Sequence, residues 1–377
     1  MSRSAKRCKA LLFCALLIGL MPASGCTTGG FVSKDNQRGD EVAVTMTPAP
    51  VEPLVIGEGP LPPVLDVNVV IFDVGRDAAQ DEALMAVKKL ESRLLPGLLR
   101  EALVRSDQWG AVRVVPNASP LAPVNIETTI LVSDGRDLML DVRVSDVTGE
   151  QWFELQLGEI QAQEAGADNF AALSNLFFVV SNRMREHWLE RSEVQRARLI
   201  STADILYARA LAPDVFMDYV DSTSPTLTLK RAPATDDPML GRVRRIKNQE
   251  YLFCDAIDEQ LGTLLESAGP TYLLWRQAAT EQANWLDHYE TLAASRTAEQ
   301  NGGAFSRMQA SYSAYRSYRI QEQALLELAE ALEGESEPVV LRVEDAVVTL
   351  EGTLEAQYAT WRALLQEIFL LEQGAPL

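Results

Sequence analysis

Histidine and cysteine are nearly missing from this chain. Two histidines, His187 and His288, stand far apart, and only four cysteines are spread over 377 residues. Zinc sites draw their ligands mainly from these side chains, so a zinc centre of the usual kind is not expected. The HExxH pair, the glycine-rich phosphate loop, the GxSxG elbow and the paired-glycine dinucleotide fingerprint are absent from the sequence too. Neither a metal nor any other cofactor is expected, and no catalytic residue is nominated. Positive charge is also short, since 34 Lys and Arg against 53 Asp and Glu leave a net charge of −19. A surface that acidic repels phosphate backbones, which argues against nucleic acid as a partner.

What the chain does have begins with an address. Arg3, Lys6, Arg7 and Lys9 precede the apolar run Ala10 to Met21 (ALLFCALLIGLM), the layout of a secretory signal peptide. That run is too short for a membrane span, which takes roughly 20 apolar residues. Ala23, Ser24 and Gly25 then lead into Cys26, and this junction resembles the lipobox of bacterial lipoproteins, although Ala23 stands where leucine is more usual. The resemblance implies cleavage after residue 25, acylation of Cys26 and membrane attachment through that lipid. Two or more acyl chains on one residue anchor stably. Thr27, where an aspartate would signal retention, implies sorting to the outer membrane in a Gram-negative cell. Cys8 and Cys14 leave with the signal and Cys26 is consumed, so no internal disulfide is expected. Cys254, next to Tyr251-Leu252-Phe253, reads as a small buried hydrophobe.

Residues 26–64 hold Pro48, Pro50, Pro53, Pro60, Pro62 and Pro63 with few large apolar side chains, the composition of an extended, unpacked linker. The fold class expected for the rest is α+β. Leu65 to Val74 (LDVNVVIFDV) reads as a buried strand and Asp81 to Arg105 as an amphipathic helix that Pro96 should kink or split. WGAVRVVP (Trp109 to Pro116) is a short strand, and Val124 to Leu157 a meander with turns at Ser133-Asp134-Gly135-Arg136 and Val147-Thr148-Gly149-Glu150. Asp134 and Asp137 around Gly135 need no calcium, because a hairpin turn accounts for them.

Helical spacing then takes over. Asn169 to Ile200 reads as one helix, continued by Ala203 to Leu211. Asp237 before Pro238 is a cap opening a long segment that Gly269-Pro270 should interrupt, and Phe305 to Leu332 follows Gly302-Gly303. Such helices should pack as antiparallel neighbours. Val339 to Phe369 closes the chain as two short strands and a helix with Leu354, Tyr358, Trp361, Leu365 and Ile368 on one face.

The VVIF strand, the helix, WGAVRVVP and the meander with DVTGE at its last turn resemble the amino-terminal domain of TolB and related domains of envelope lipoproteins, including the curli secretion protein and a peptidoglycan-synthase activator. The Asp237 to Gln260 stretch resembles uncharacterised proteobacterial lipoproteins, and the closing strand-strand-helix unit resembles half of a BON domain. The organisation expected is thus a signal peptide at 1–25, a linker at 26–64, a TolB-N-like α+β domain at 65–160, a helical region at 161–335 and a ββα unit at 336–374.

Two surface features are candidates for binding. Arg242, Arg244, Arg245 and Lys247 cluster at the start of the Asp237 helix and offer contacts to an acidic partner or lipid phosphate, or else an ion-paired helix face. Tyr312, Tyr315 and Tyr318 recur every third residue, as a stacking surface or a helix contact. The sequence therefore reads as a lipid-anchored outer-membrane protein facing the periplasm. It is expected to act as a non-enzymatic adaptor for an unidentified envelope protein or the peptidoglycan machinery. The alternatives are an envelope hydrolase with paired carboxylates and a carrier with an apolar pocket.

Overall fold

The computed structural model describes residues 48–60, 62–75, 82–160, 169–221, 226–232, 234, 237–294, 304–333, 337–343 and 346–372. The signal segment and Cys26 lie outside them. Strand β1 (Val67–Val70) runs parallel to both its neighbours, β2 (Val112–Val115) and β3 (Val124–Ser133). β3, β4 (Asp137–Asp146) and β5 (Gln151–Ile160) form the antiparallel meander, giving the sheet order β2-β1-β3-β4-β5. All four residues of β1 are buried, which is why its sequence is almost uniformly apolar rather than alternating. Both meander turns carry glycine in the left-handed region, Gly135 at φ 89° and Gly149 at φ 86°. At Gly135 space forbids a side chain as well, since a Cβ would lie 2.5 Å from Ala279.

Helix α1 (Glu82–Arg105) packs on β1, β2 and β3 and is itself covered by later helices, so Leu94, Leu95, Leu98 and Leu99 are all buried. It runs through Pro96 without splitting. Proline removes the N–H that would bond the Ser92 carbonyl, and Phe72 N–H, just past β1, donates to that carbonyl at 3.2 Å. The sheet thus supplies the bond the helix lacks.

The expected Asn169 to Ile200 helix is two helices, α2 (Asn169–Glu190) and α3 (Glu193–Leu211). Ser192 caps α3 and Gln195 reaches back to it, a complete capping box. A four-residue helix α4 (Pro213–Phe216), a 3-10 turn (Met217–Tyr219) and the small ladder of β6 (Val220–Asp221) with β7 (Thr228–Leu229) follow. Asp237 caps α5 (Pro238–Ala294) as expected, its Oδ1 accepting from Met239 N–H at 2.8 Å.

Gly269-Pro270 does not break α5, which spans 57 residues, about 85 Å at 1.5 Å per residue. Pro270 and Glu266, whose carbonyl loses its helical partner, are both exposed, so solvent is available to that oxygen. Gly269 serves close packing instead: a Cβ there would sit 3.0 Å from the Phe170 ring on α2. Helix α6 (Ala304–Glu333) packs against α5 and α1. Strands β8 (Val339–Val343) and β9 (Ala346–Leu350) pair only with each other among the described residues, and with α7 (Leu354–Glu372) they close the chain against α5. Leu65, Phe177, Phe253, Trp361 and Phe369 belong to one continuous apolar cluster, so sheet, helices and closing unit share a core.

Part of the expected linker is docked. Ala49 N–H bonds Gly158 O on edge strand β5, Gly57 N–H bonds Ser106 O, and the Glu52 and Val55 amides bond the Asn175 and Asn182 side chains of α2. Proline-rich composition implies backbone without regular hydrogen bonds of its own, but such backbone can be held by carboxamides, and Asn175 and Asn182 supply them.

Candidate functional site

A cleft of about 640 Å3 opens where the end of β4 and its turn face α3. Its floor comes from Ser119, in the loop after β2, and Asn125, on β3. One wall is the Ser145 to Gly149 stretch, and the other is Leu206 and Arg209 of α3, with Met217 and Leu227 at the rim. The Leu227 N–H to Thr148 O bond, 2.7 Å, ties the rim to the turn.

Beneath the turn, buried Asp146 is fully engaged. Its Oδ1 accepts from the Thr148 N–H (2.9 Å) and hydroxyl (2.5 Å), and its Oδ2 accepts from the Trp152 indole (3.0 Å). Arg191 lies 3.5 Å from the same oxygen and 2.9 Å from Glu150. Trp152 stacks on His187 at 4.8 Å between centroids, and burial together with the Arg191 charge holds His187 below its ordinary pKa. Asp146, Trp152, His187 and Arg191 thus form a rigid polar underlay for the cleft.

Above it Asn125 is oriented by its neighbours. Its Oδ1 accepts from Asn68 Nδ2 at 3.0 Å and from Ser119 N–H at 3.1 Å, which fixes the amide and leaves the Nδ2 donors unused.

The expected basic cluster is not one patch. Lys247 is buried, donates to Asp204 at 2.9 Å and lies over the Tyr207 and Tyr251 rings. Arg245 pairs with Glu372 of α7 at 2.7 Å. Arg242 and Arg244 have no ion pair with a described residue. The helical period explains the split: Lys247 falls on the buried face with Val243 and Ile246, while Arg244 and Arg245 point to solvent. Cys254 is buried, and burial raises its thiol pKa well above the usual value.

The tyrosine series divides likewise. Tyr318 is partly buried, with its hydroxyl on Glu322 at 2.7 Å, while Tyr312 and Tyr315 are 66% and 51% exposed. Met308, at 66% exposure, joins them on one stripe of α6 next to the buried Ala314, Glu322, Leu325 and Ala329 face. Neighbouring α5 exposes Trp285 and Leu286.

Two buried acids lock elements together and were not anticipated from sequence. Glu250 of α5 accepts the Tyr207 hydroxyl of α3 (2.6 Å) and the Tyr358 hydroxyl of α7 (2.5 Å). Glu91 of α1 accepts from Ser133 and Tyr272, both at 2.7 Å, and burial raises its pKa. Arg276 joins that group by donating to the Tyr272 hydroxyl at 3.4 Å and pairs on its other side with Glu159 at 2.7 Å. The only sequence signal for either was an acid at an apolar helical position, which periodicity scores as an error rather than a contact.

The chain matches no protein-family model, no curated protein and no solved structure. Among the described residues no group of three or more His, Cys, Asp and Glu is placed to hold a metal ion, and no helix is long and apolar enough to cross a membrane.

Proposed function

We propose that the protein is a lipid-anchored adaptor of the outer membrane that faces the periplasm, turns over no substrate, and grips an envelope partner through the Met308, Tyr312 and Tyr315 stripe. The exposure of that stripe carries the reading. Aromatic and methionine side chains supply much of the energy of protein interfaces, and leaving three of them wet along one helix calls for a cover. The lipobox resemblance at Cys26 and the TolB-like element order support the envelope setting. The structure gives the hydrolase reading no comparable support, since Asp146, Glu91, Glu159 and Glu250 are each committed to internal partners.

Photocrosslinking side chains at positions 312 and 315, with exposed Val194 on α3 as control, test the proposal in cells. A discrete adduct from 312 and 315 that is missing from 194 is expected. Cys26→Ser should move the protein out of the outer-membrane fraction and reduce that adduct. Equal labelling from all three positions, with fractionation unchanged by Cys26→Ser, would overturn the reading.

A further inference from the structure

We propose that the cleft between the β4–β5 turn and α3 binds a small amphipathic carboxylate, its headgroup on Arg209 and Asn125 and its apolar body against Leu206, Met217 and Leu227. The first support is an excess of donors. Arg209 lines the cleft and has no ion pair or hydrogen bond to any described residue, in a chain with 53 acids. Asn125 is 6% exposed, and the bonds from Asn68 and Ser119 to its oxygen leave its NH2 group as the free end. The Ser119 hydroxyl oxygen already accepts from Leu121 N–H at 3.3 Å, so its own proton is still to be donated. Donors gathered without acceptors are completed by an acceptor-rich, negatively charged group.

The nearest internal acceptor is withheld. Both oxygens of Asp146 are occupied, Oδ1 by Thr148 of the same turn and Oδ2 by Trp152, and Arg191 offsets its charge. An incoming anion therefore meets the Arg209 charge rather than a bare carboxylate.

The second support is the remainder of the lining. Apart from Ser145, Asp146 and Thr148 of the turn, it is Leu206, Met217, Leu227 and small apolar residues, in a volume of about 640 Å3. That size falls within the roughly 300 to 1,000 Å3 typical of small-molecule sites, where a few polar groups orient a ligand against apolar walls. One cation in a lining otherwise dominated by apolar side chains matches a single carboxylate on an aliphatic or aromatic body. A polyanion or a sugar would leave most of its polar groups facing hydrocarbon. This site lies on α3, so it does not depend on the α6 stripe, and either proposal can fail alone.

Isothermal titration of the soluble protein from residue 48 onward with decanoate, decanol and decylamine decides it. One molecule of decanoate should bind, decanol at least about tenfold more weakly, and decylamine not at all. Arg209→Gln should weaken decanoate about tenfold, and Arg209→Lys should restore part of the loss. Unchanged melting of both variants keeps the comparison about binding. Absence of saturable decanoate binding, equal affinity for decanol, or indifference to Arg209→Gln would each overturn the proposal. A short apolar peptide with a free C-terminal carboxylate is the competing occupant. If it binds through Arg209 while decanoate does not, the site takes a protein terminus and the small-ligand proposal falls.

Discussion

Asp258 shows how one side chain can be satisfied in its bonds and still resist ionisation. It closes the open edge of β2, where its Oδ1 accepts from Val114 N–H at 2.8 Å and its Oδ2 from Arg100 Nε at 2.9 Å, while Arg100 also donates to Val112 O. An edge strand whose N–H and C=O are already taken cannot recruit a foreign strand. Burial outweighs these bonds and pushes the Asp258 pKa up to about 6 from an ordinary 3.8. A folded-state value above the unfolded one means the stabilising contribution is complete below about pH 4 and is lost as pH rises through 6. At roughly 1.4 kcal/mol per pKa unit, the fold should lose about 3 kcal/mol from this residue between pH 4 and pH 7. Urea unfolding of the wild type and Asp258→Asn across that range should show the dependence reduced by about that amount in the variant, with the share from other buried acids such as Glu91 left in place. Parallel profiles would mean that Arg100 and Val114 hold the carboxylate ionised in spite of its burial.

Among the elements, α3 depends most visibly on one local device. Ser192 receives Gln195 N–H on its hydroxyl and Arg196 N–H on its carbonyl, and α3 carries both Arg209 of the cleft and Tyr207 of the Glu250 lock. Ser192→Ala should cost about 1 kcal/mol and speed hydrogen exchange of the Gln195 and Arg196 amides, leaving α2 amides unchanged. Uniform acceleration through both helices would show that α2 and α3 unfold as one. The Ser192-to-Gln195 spacing was readable in the sequence, but the apolar rhythm runs across it and hides the break. Pro96 and Pro270 fail as breakers for a different reason. What replaces the missing bond comes from Phe72 in one case and from solvent exposure in the other, and neither is visible in the neighbouring residues. The five strands of the main sheet, both glycine turns, the Asp237 cap and the closing unit were legible because their causes are local, whereas the short β6–β7 pair was not. The cleft was not, since Ser119, Asn125, Ser145 and Arg209 come from separate elements and each is ordinary alone. The split of the basic cluster was written in its helical spacing, with Lys247 in phase with Val243 and Ile246.

For the molecule as a whole, the ordered body begins earlier than composition suggests. The strap from Pro48 to Gly57 is held by Asn175, whose Nδ2 donates to Pro50 O at 2.9 Å, by Asn182, whose Nδ2 donates to Pro53 O at 3.0 Å, and by Gln108, which donates to Val55 O at 2.7 Å. Limited proteolysis should therefore leave a core whose mass begins close to residue 48. A core beginning between 58 and 64 would show that the strap is undocked in solution. The strap also decides how the protein answers tension. A pull through the residues before Pro48 would meet Ala49 on β5 first, then Glu52 and Val55 on α2, then Gly57 at Ser106, so the attachments would be loaded in sequence along the strap rather than all at once. Only after all of them let go would load pass through Val64 to Leu65 and β1.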